Sequence, residues 1–367
     1  MNIGIIGGGQ LAKMMILAGY PLGQSFTVLD PSKDAAGARV ANRHIVGDYD
    51  DTDKLRELAE SCDVVTFDFE NVPADALRAL ESAVTAYPPS QALEVAQDRL
   101  DEKQLFHSQG IPTAPHQAVD NEADLRQAIE TIGLPGILKT RRLGYDGKGQ
   151  FVLREASQVA DAIAAMSGQA AIYEGMVPFD CEVSLLSVRG RAGETKFYPL
   201  AQNDHVGGIL HISRVPYVSD ALQRQAEKLV TPLLEKLNYV GVLAVEFFLV
   251  DGELVANEVA PRVHNSGHWS IEGAVCSQFE NHLRAITGLP LGSTRVDGFA
   301  AMVNCISKMP KAEDVLKMTA CHFHDYGKAP KSKRKLGHVT TTAKSKERLE
   351  EKIALIEKVI EANLSQG

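Results

Sequence analysis

The chain contains 367 residues, more than one hydrophobic core usually organises, so two or three domains are expected. Its hydrophobic content of 44% and charged content of 23% are those of an ordinary globular protein and exclude a fibrous or disordered chain. The formal net charge of -9 argues against a nucleic-acid-binding protein, because affinity for a phosphate backbone comes from clustered lysine and arginine.

Neither the cysteines nor the N-terminus indicates an extracellular or membrane protein. The five cysteines include no C-x-x-C pair, so they predict neither a disulfide framework nor a zinc site. The first residues lack the features of a signal peptide, and no uncharged stretch approaches the ~20 apolar residues that span a bilayer. We therefore expect a soluble cytoplasmic protein without a membrane partner.

The first predicted domain covers residues 1–95. An apolar run over residues 2–6 enters a glycine-rich turn, a helical spacing of apolar residues follows, and further apolar runs lie at 26–30 and 63–69. Strands that alternate with helices predict an α/β domain built on a parallel sheet.

The second predicted domain, residues 96–177, contains a flexible loop. Its predicted elements are two helices and two strands, at residues 93–109, 122–132, 137–140 and 151–153. Between the strands lies Gly144–Gln150, whose three glycines let backbone amides approach phosphates closely. A plain glycine hairpin is the alternative, but Lys139 and Lys148 favour a triphosphate site. The Walker pattern G-x-x-x-x-G-K-[ST] occurs nowhere in the chain.

The third and fourth predicted domains cover residues 178–298 and 299–367. A long helix, a hairpin, several short strands and a final helix are predicted at residues 221–237, 242–259, 300–340 and 344–364. We expect the third domain to be the catalytic core and the fourth to be β-rich. The complete chain is thus a multidomain α/β protein.

The glycine-rich start also matches a dinucleotide-binding pattern. Residues Gly7–Ala12 fit G-x-G-x-x-A between a strand and a helix, and Asp30 follows about twenty residues on. Alone, this would predict an NAD-dependent oxidoreductase. However, any strand-to-helix turn needs small residues, and a helix N-terminus attracts any anion. We therefore rank NAD binding lower.

The predicted hairpin carries a candidate metal site. Glu246 lies on its first strand, and Asn257 and Glu258 lie on its second. Their hard oxygen atoms suit magnesium that also binds phosphates. A two-residue loop would place Glu246 opposite Asn257, whereas a three-residue loop or one bulge would place it opposite Glu258, which we favour. Solvent-facing charges are the alternative, but the neighbours of Glu246 are apolar.

Two polar clusters follow the hairpin. Arg262, His264 and Asn265 come directly after the acidic residues and can hold a small oxyanion. Further on, five basic residues crowd into eight positions: Lys328, Lys331, Lys333, Arg334 and Lys335. The basic run is either a solvated loop or a cradle for a phosphate monoester.

These motifs, in this order, resemble the ATP-grasp superfamily and in particular the family of 5-(carboxyamino)imidazole ribonucleotide synthases. The resemblance covers nearly the whole chain. Its most specific stretches are Gly4–Leu11, Thr66–Val72, Gly144–Gln150, Asn257–Ser270 and Gly337-His338. It implies an ATP-grasp architecture, with a pre-ATP-grasp domain, a lid domain, a catalytic domain and a short β-rich C-terminal part.

The resemblance implies a set of ATP-binding residues between two domains. They are Arg99, Lys139, Gly144, Tyr145, Asp146, Gly147, Lys148, Gly149, Gln150, Glu174, Gly175, Met176, Val177, Glu182, His205, Asn257 and Glu258. Within this set, residues 174–177 would be the adenine-contacting hinge, and Glu182 would accept the ribose hydroxyls. Gly175 and Met176 stand where the family commonly has a lysine and an aromatic residue, and Asp68 stands where it usually has glutamate.

The resemblance also implies two magnesium ions held by Glu246 and Glu258, and a homodimer. The ribotide substrate, 5-aminoimidazole ribonucleotide, would contact Gln10, Leu11, Glu70 and Tyr145, with its phosphate on Lys331 and on Arg334 or Lys335. Bicarbonate and then carboxyphosphate would be held by Arg262, His264 and Asn265. Asp146 and Lys148 would lie near the transferring groups, with Asp146 accepting the proton of the amine.

The implied reaction is the ATP- and bicarbonate-dependent carboxylation of the ribotide's exocyclic amine through carboxyphosphate. Three alternatives stay open. A formate-dependent ribotide transformylase or an amino-acid ligase would keep the ATP motifs and change the acceptor. An NAD-dependent oxidoreductase would leave the hairpin acids unexplained. An ATP-sensing module would bind the nucleotide without turnover.

Overall fold

The computed structural model describes residues 1–144 and 149–364, whose strands form three sheets. Within these ranges, no helix combines the length and the apolar character needed to cross a membrane. Short 3-10 turns also occur, at Tyr20–Leu22, Ala156–Gln158 and Asn265–Gly267.

The N-terminal sheet is parallel, as predicted, with the strand order β3-β2-β1-β4. Its strands are β1 Asn2–Ile6, β2 Ser25–Leu29, β3 Arg43–Ile45 and β4 Val64–Phe67. The helices of this region are α1 Gln10–Gly19, α2 Thr52–Ser61 and α3 Ala74–Leu80. The central strands are nearly continuous apolar runs because both faces of the sheet are covered.

The predicted helix over residues 93–109 is wrong in one respect, since the chain forms two helices there. These are α4 Ser90–Ala96 and α5 Arg99–Ser108. Asp98 separates them and accepts the N–H of Leu100 at 3.0 Å as the N-cap of α5. The same carboxylate binds Arg141 at 2.9 and 2.8 Å, so this break is also where the helices join the lid.

The lid contains a four-stranded antiparallel sheet with the order β5-β8-β6-β7. Its strands are β5 His116–Val119, β6 Gly136–Thr140, β7 Gln150–Leu153 and β8 Ala171–Gly175. The helices α6 Glu122–Ile132 and α7 Val159–Met166 pack against it. The strands β6 and β7 flank the glycine-rich stretch, as the sequence predicted.

The third sheet has nine antiparallel strands and the order β14-β13-β9-β11-β12-β15-β17-β16, with β10 paired to β9. Its strands are β9 Cys181–Arg189, β10 Thr195–Phe197, β11 Ala201–Val206, β12 Ile209–Val215, β13 Gly241–Val250, β14 Glu253–Ala260, β15 Phe299–Ile306, β16 Cys321–Asp325 and β17 Lys335–Ala343. The helices are α8 Asp220–Lys236, α9 Ser270–Gly273, α10 Gln278–Thr287, α11 Ala312–Leu316 and α12 Lys346–Leu364. The predicted boundary at residue 298 therefore falls between two segments of one continuous sheet.

The N-terminal sheet and the nine-stranded sheet share a hydrophobic core. Ile3 and Met15 lie in the same buried cluster as Trp269 and Leu283. His282 of α10 connects the two sheets, because its Nδ1 accepts the N–H of Val242 at 3.1 Å and its Nε2 lies 2.9 Å from the hydroxyl of Thr66. This packing places Glu70 of the N-terminal region against Arg262, which follows the hairpin.

Candidate active site

The two acidic residues predicted to bind metal lie opposite each other on the hairpin of β13 and β14. The strands are joined by a two-residue turn, and the register shifts after Glu246, so that Glu246 pairs with Glu258 and Phe247 pairs with Ala256. Asn257 is the extra residue of this β-bulge. The predicted pairing of Glu246 with Glu258 is confirmed, and a bulge is its cause.

The electrostatics of this pair fit a bound cation. Burial and the nearby charge of Glu258 raise the pKa of Glu246 to about 7. Among residues 1–144 and 149–364, no three His, Cys, Asp or Glu side chains form a metal-binding group. Magnesium commonly uses one or two carboxylates and takes its other ligands from substrate phosphates and water. The pair therefore fits magnesium that is shared with a nucleotide.

Helix α5 lies along the edge strand β14 beside the acidic pair. Arg99 Nη1 is 3.4 Å from the carboxylate of Glu258. Glu102 accepts a hydrogen bond from the backbone N–H of Val259 at 2.5 Å. Lys103 donates one to the carbonyl of Asn257 at 2.7 Å. These side chains share one helix face because they are spaced i, i+3 and i+4. Burial raises the pKa of Glu102 to about 8. The helix thus supplies partners for the exposed backbone groups of an edge strand.

Lys139, a predicted phosphate ligand, forms a buried ion pair in the lid. Its Nζ lies 2.9 Å from Glu174 Oε2, and the Nζ of Lys103 lies 3.7 Å from the same oxygen. Burial alone would raise the pKa of Glu174, but the charges of the two lysines outweigh it and lower the pKa to about 2. Glu174, the carboxylate of the predicted hinge, therefore lies beside two lysine side chains.

The predicted hinge, residues 174–177, has two backbone amides already bonded. The N–H of Gly175 donates to the carbonyl of Pro115 at 2.9 Å, and the N–H of Met176 donates to the carbonyl of Pro135 at 3.1 Å. Val177 follows, half-buried. Adenine contacts at this hinge would therefore come from its carbonyl groups and from Val177.

Glu182 and His205 were predicted as separate nucleotide contacts, and the structure joins them. The carboxylate of Glu182 on β9 lies 2.5 Å from His205 Nδ1 on the neighbouring strand β11. Burial would lower the pKa of His205, but the hydrogen bond to Glu182 and the charge of Glu246 raise it above its usual value. The pair thus holds the Glu182 carboxylate in one orientation.

Only part of the predicted flap lies in the described ranges. Gly149 has a φ of +68° and accepts the N–H of Thr140 at 2.8 Å, and Gln150 pairs with Lys139 in the sheet. The carbonyl of Gly144 lies 3.5 Å from Arg99 Nη2. The predicted residues that lie outside the described ranges are Tyr145, Asp146, Gly147 and Lys148.

Arg262, predicted to hold an oxyanion, forms an ion pair with Glu70, predicted to bind the ribotide. Arg262 lies in the loop after β14 and Glu70 lies in the N-terminal region, so their contact joins two predicted substrate sites. Burial would raise the pKa of Glu70, but the charge of Arg262 outweighs it and lowers the pKa. Gln97 donates to the carbonyls of Glu70 and Val72 at 2.7 and 2.5 Å and so fixes this loop.

The loop after β14 is held by Gln278, which is fully buried. Gln278 accepts the N–H of His264 at 2.8 Å and donates to its carbonyl at 2.6 Å. The side chain of Asn265 bonds to that of Asn304 at 2.7 and 3.1 Å. Burial, together with the charge of Arg262, lowers the pKa of His264 well below its usual value. Neutral His264, 3.6 Å from Glu246, can therefore act as a hydrogen-bonding group.

Packing against two carboxylates explains the glycines at the start of the chain without NAD binding. Asp30 accepts the N–H of Gly8 at 2.7 Å and the hydroxyl of Tyr49 at 2.8 Å. The carboxylate of Asp68 lies against the turn before α1, where a Cβ at Gly7 or Gly9 would lie 1.9 or 2.5 Å from its oxygens. A carboxylate already occupies the place where a dinucleotide pyrophosphate would bind.

The other predicted ribotide contacts differ in position. The side chain of Leu11 is in the hydrophobic core, so a contact there would use its backbone. Lys331 and Arg334 are exposed, and Arg334 donates to the carbonyl of Ala329 within its own loop at 3.3 Å. Lys335 is half-buried at the start of β17, and its charge contributes to the lowered pKa values of Glu70 and His264. The structure thus brings Lys335 towards the site.

Sequence reasoning missed several residues that the structure places here. Lys328 of the predicted basic run donates a hydrogen bond to Gln10. The missed residues are Gln97, Glu102, Lys103 and Gln278. One sequence signal could have found two of them. Glu102 and Lys103 lie three and four residues after Arg99, on the same face of α5.

The fold and the site define an ATP-grasp ligase. The family model described as an ATP-grasp domain matches residues 104–279. A ribonucleotide synthetase preATP-grasp domain matches residues 1–97, and a phosphoribosylaminoimidazole carboxylase C-terminal domain matches residues 300–352. The predicted ATP-grasp architecture is therefore confirmed.

Similarity to individual proteins shows which family of ATP-grasp ligases the chain belongs to. It is 53% identical to N5-carboxyaminoimidazole ribonucleotide synthase of Pseudomonas aeruginosa, over 99% of this chain and 100% of that protein. The crystal structure of the Thermus thermophilus synthetase of the same name is 52% identical, with a TM-score of 0.93 over 97% of this chain and 98% of that one. The Aspergillus clavatus synthase, solved with ADP and 5-aminoimidazole ribonucleotide, is 31% identical, with a TM-score of 0.91 over 98% of each chain. The chain belongs to the N5-carboxyaminoimidazole ribonucleotide synthase family.

Proposed function

We propose that the chain carboxylates the exocyclic amine of 5-aminoimidazole ribonucleotide with ATP and bicarbonate, in purine biosynthesis. The products are 5-carboxyaminoimidazole ribonucleotide, ADP and phosphate. The observation that carries this proposal is the full-length identity of 53% to a synthase of that name. A related synthase at 31% identity binds both ADP and the ribotide on the same fold.

The nucleotide lies between the lid and the nine-stranded sheet. Lys139 and Arg99 bind its phosphates, residues 174–177 contact the adenine, and Glu182 accepts the ribose hydroxyls while His205 orients it. The short contact between Glu182 and His205 supports this arrangement, because it fixes the acceptor before the nucleotide binds. Gly144, Gly149 and Gln150 belong to the flap over the phosphates.

Glu246 and Glu258 would hold two magnesium ions, with Asn257 beside these carboxylates. The raised pKa of Glu246 supports this role, because two adjacent carboxylates favour a cation between them. When bound, magnesium neutralises charge on the phosphates, which is the main requirement of phosphoryl transfer.

Two chemical steps follow. A bicarbonate oxygen attacks the γ-phosphorus, the bond to the β-phosphate oxygen breaks, and carboxyphosphate and ADP form. The amine nitrogen of the ribotide then attacks the carboxyl carbon, phosphate leaves, and the amine proton passes to a base. Arg262, neutral His264 and Asn265 bind bicarbonate and carboxyphosphate through hydrogen bonds and charge.

The ribotide binds where the N-terminal region meets the loop after β14. Glu70 and Gln10 contact it, together with the backbone of Leu11, and its phosphate binds to Lys331 and to Arg334 or Lys335. The ion pair between Glu70 and Arg262 supports this placement, because it brings the amine acceptor beside the carboxyphosphate site. Tyr145, Asp146 and Lys148 of the flap act here, with Asp146 as the base. A closed flap also protects carboxyphosphate from water.

We further propose a cytoplasmic homodimer whose ligands are small molecules and not nucleic acid. Its domains are residues 1–95, 96–177, 178–298 and 299–367. A sibling ATP-grasp ligase with another acceptor, such as a formate-dependent transformylase, is the second candidate. NAD chemistry is disfavoured because Asp68 occupies the N-terminus of α1.

The test is ADP formation with magnesium ATP and bicarbonate, with and without the ribotide. We expect ADP release to depend on the ribotide and to match the amount of carboxylated product. ADP release without that dependence would contradict the assigned acceptor, and formation of a formylated product would favour the sibling ligase.

The role of Asp146 has its own test. Asp146→Ala should keep ATP binding but form more ADP than carboxylated product, since carboxyphosphate would be made and then hydrolysed. Asp161→Ala, at an exposed position of α7, is the control. An unchanged ratio of ADP to product would refute the assignment.

A further inference from the structure

One buried carboxylate in the nucleotide site is shared by two lysines. Glu174 Oε2 lies 2.9 Å from Lys139 Nζ and 3.7 Å from Lys103 Nζ, and the side chains of Glu174 and Lys103 are 3% and 1% exposed. Glu174 Oε1 is buried and has no hydrogen-bond partner among the residues of the described ranges. Two lysine side chains thus meet one carboxylate in the proposed nucleotide site.

The two lysines differ in what else holds them. Lys103 donates to the carbonyl of Asn257 at 2.7 Å from inside α5, so its ammonium group stays at the edge of the nine-stranded sheet. Lys139 lies on β6 of the lid, where its side chain donates to Glu174, and β6 leads directly into the flap. Of the two, Lys139 can turn towards a ligand.

We propose that Lys103 is a positioning residue of the nucleotide site. It holds Glu174, so that the ammonium group of Lys139 can bind the nucleotide phosphates. The inference rests on the proposed ATP site and assigns a role to a residue outside the predicted ATP-binding set. Leaving a buried carboxylate unpaired is costly, so without Lys103 the carboxylate would keep Lys139 as its only close counter-ion.

The inference predicts a selective loss of phosphate binding. Lys103→Met removes the charge and keeps an unbranched side chain of similar length. Its dissociation constant for ADP should rise about tenfold or more, as expected for losing one charge-assisted hydrogen bond. Its dissociation constant for adenosine should change much less, because adenosine lacks the phosphates that Lys139 binds. Calorimetric titration with adenosine and with magnesium ADP measures both.

A second substitution separates this role from a purely structural one. Glu174→Gln removes the carboxylate that competes for Lys139, so the double variant Lys103→Met/Glu174→Gln should regain the ADP affinity of Glu174→Gln alone. Glu102→Leu is the matched control, because Glu102 also holds the edge strand β14 but is not paired with Glu174. It should lower the affinities for ADP and adenosine by the same factor, or change neither.

The outcomes are distinct. Equal losses for ADP and adenosine in Lys103→Met, no rescue in the double variant, or an ADP-selective loss in Glu102→Leu would each overturn the proposal. If Lys103→Met does not fold, Glu174→Gln alone decides, since weaker ADP binding with unchanged adenosine binding would also overturn it. These titrations do not depend on carboxylation, so the proposed activity is judged separately, by ribotide-dependent ADP formation in the unaltered protein.

Discussion

Replacing Glu246 with glutamine should stabilise the ligand-free protein at alkaline pH while weakening its response to magnesium ATP. In the folded chain the pKa of Glu246 rises from 4.5 to about 7, through burial and the charge of Glu258. This rise corresponds to about 3 kcal/mol of unfolding free energy, shared with Glu258 because the two groups titrate together. The site thus lowers stability in the absence of a cation.

Proton binding determines whether the folded state gains or loses stability as the pH rises. The unfolded carboxyl loses its proton near pH 4.5, whereas the folded carboxyl keeps it until about pH 7. Between these values the folded state binds more protons, so stability falls as the pH rises, and the loss is complete above pH 7. Glutamine has no charge to bury, so Glu246→Gln should escape this loss.

Thermal unfolding in a chelator at pH 8 and pH 5 tests this reasoning. At pH 8 the variant should melt about 4 °C above the unaltered protein if the chain unfolds as one unit, and at pH 5 the difference should be small. Magnesium ATP should then stabilise the unaltered protein more than the variant. Glu253→Gln, exposed on the same hairpin, is the control. A variant that is no more stable at pH 8, or equally stabilised at both pH values, would refute the argument.

Glu70→Gln should raise the KM for the ribotide by roughly tenfold to a hundredfold, because Arg262 loses its paired charge; steady-state kinetics with an unchanged KM would exclude Glu70 from the ribotide site. Gln278→Leu removes both bonds to the backbone of His264 and should raise the KM for bicarbonate while the dissociation constant for ADP stays constant. Burial lowers the pKa of His282 to about 3. Below pH 6.5 the unfolded state therefore binds a proton at this imidazole that the folded state does not bind, and the folded state loses stability as the pH falls. In urea unfolding at pH 7 and pH 5, His282→Asn should therefore lose less stability between the two pH values than the unaltered protein does, and an equal loss would contradict the assignment.

Local patterns in the sequence were sufficient for most elements of the fold. The apolar runs at β1, β2 and β4 and the helical spacing between them predicted the parallel sheet, because burial on both faces selects continuous apolar strands. One predicted helix, over residues 93–109, is two helices. The capping bond from Asp98 to Leu100 is local, but the pairing of Asp98 with Arg141 involves a lid segment over forty residues away in sequence. The apolar spacing over residues 93–109 does not reveal this pairing with Arg141.

For the site, the sequence by itself determined which residue types occur together, and packing decided which of them meet. The motifs of the hairpin, the flap and the loop after β14 indicated an ATP-grasp ligase, and the choice of Glu258 over Asn257 as the partner of Glu246 required one bulge. The pairing of Glu70 with Arg262 joins residues 192 positions apart. Side-chain periodicity operates over a few residues along one element, whereas an ion pair between distant elements forms only when the shared core has set their orientation. Burial, which shifts the pKa of Glu246, likewise exists only after the sheets have packed.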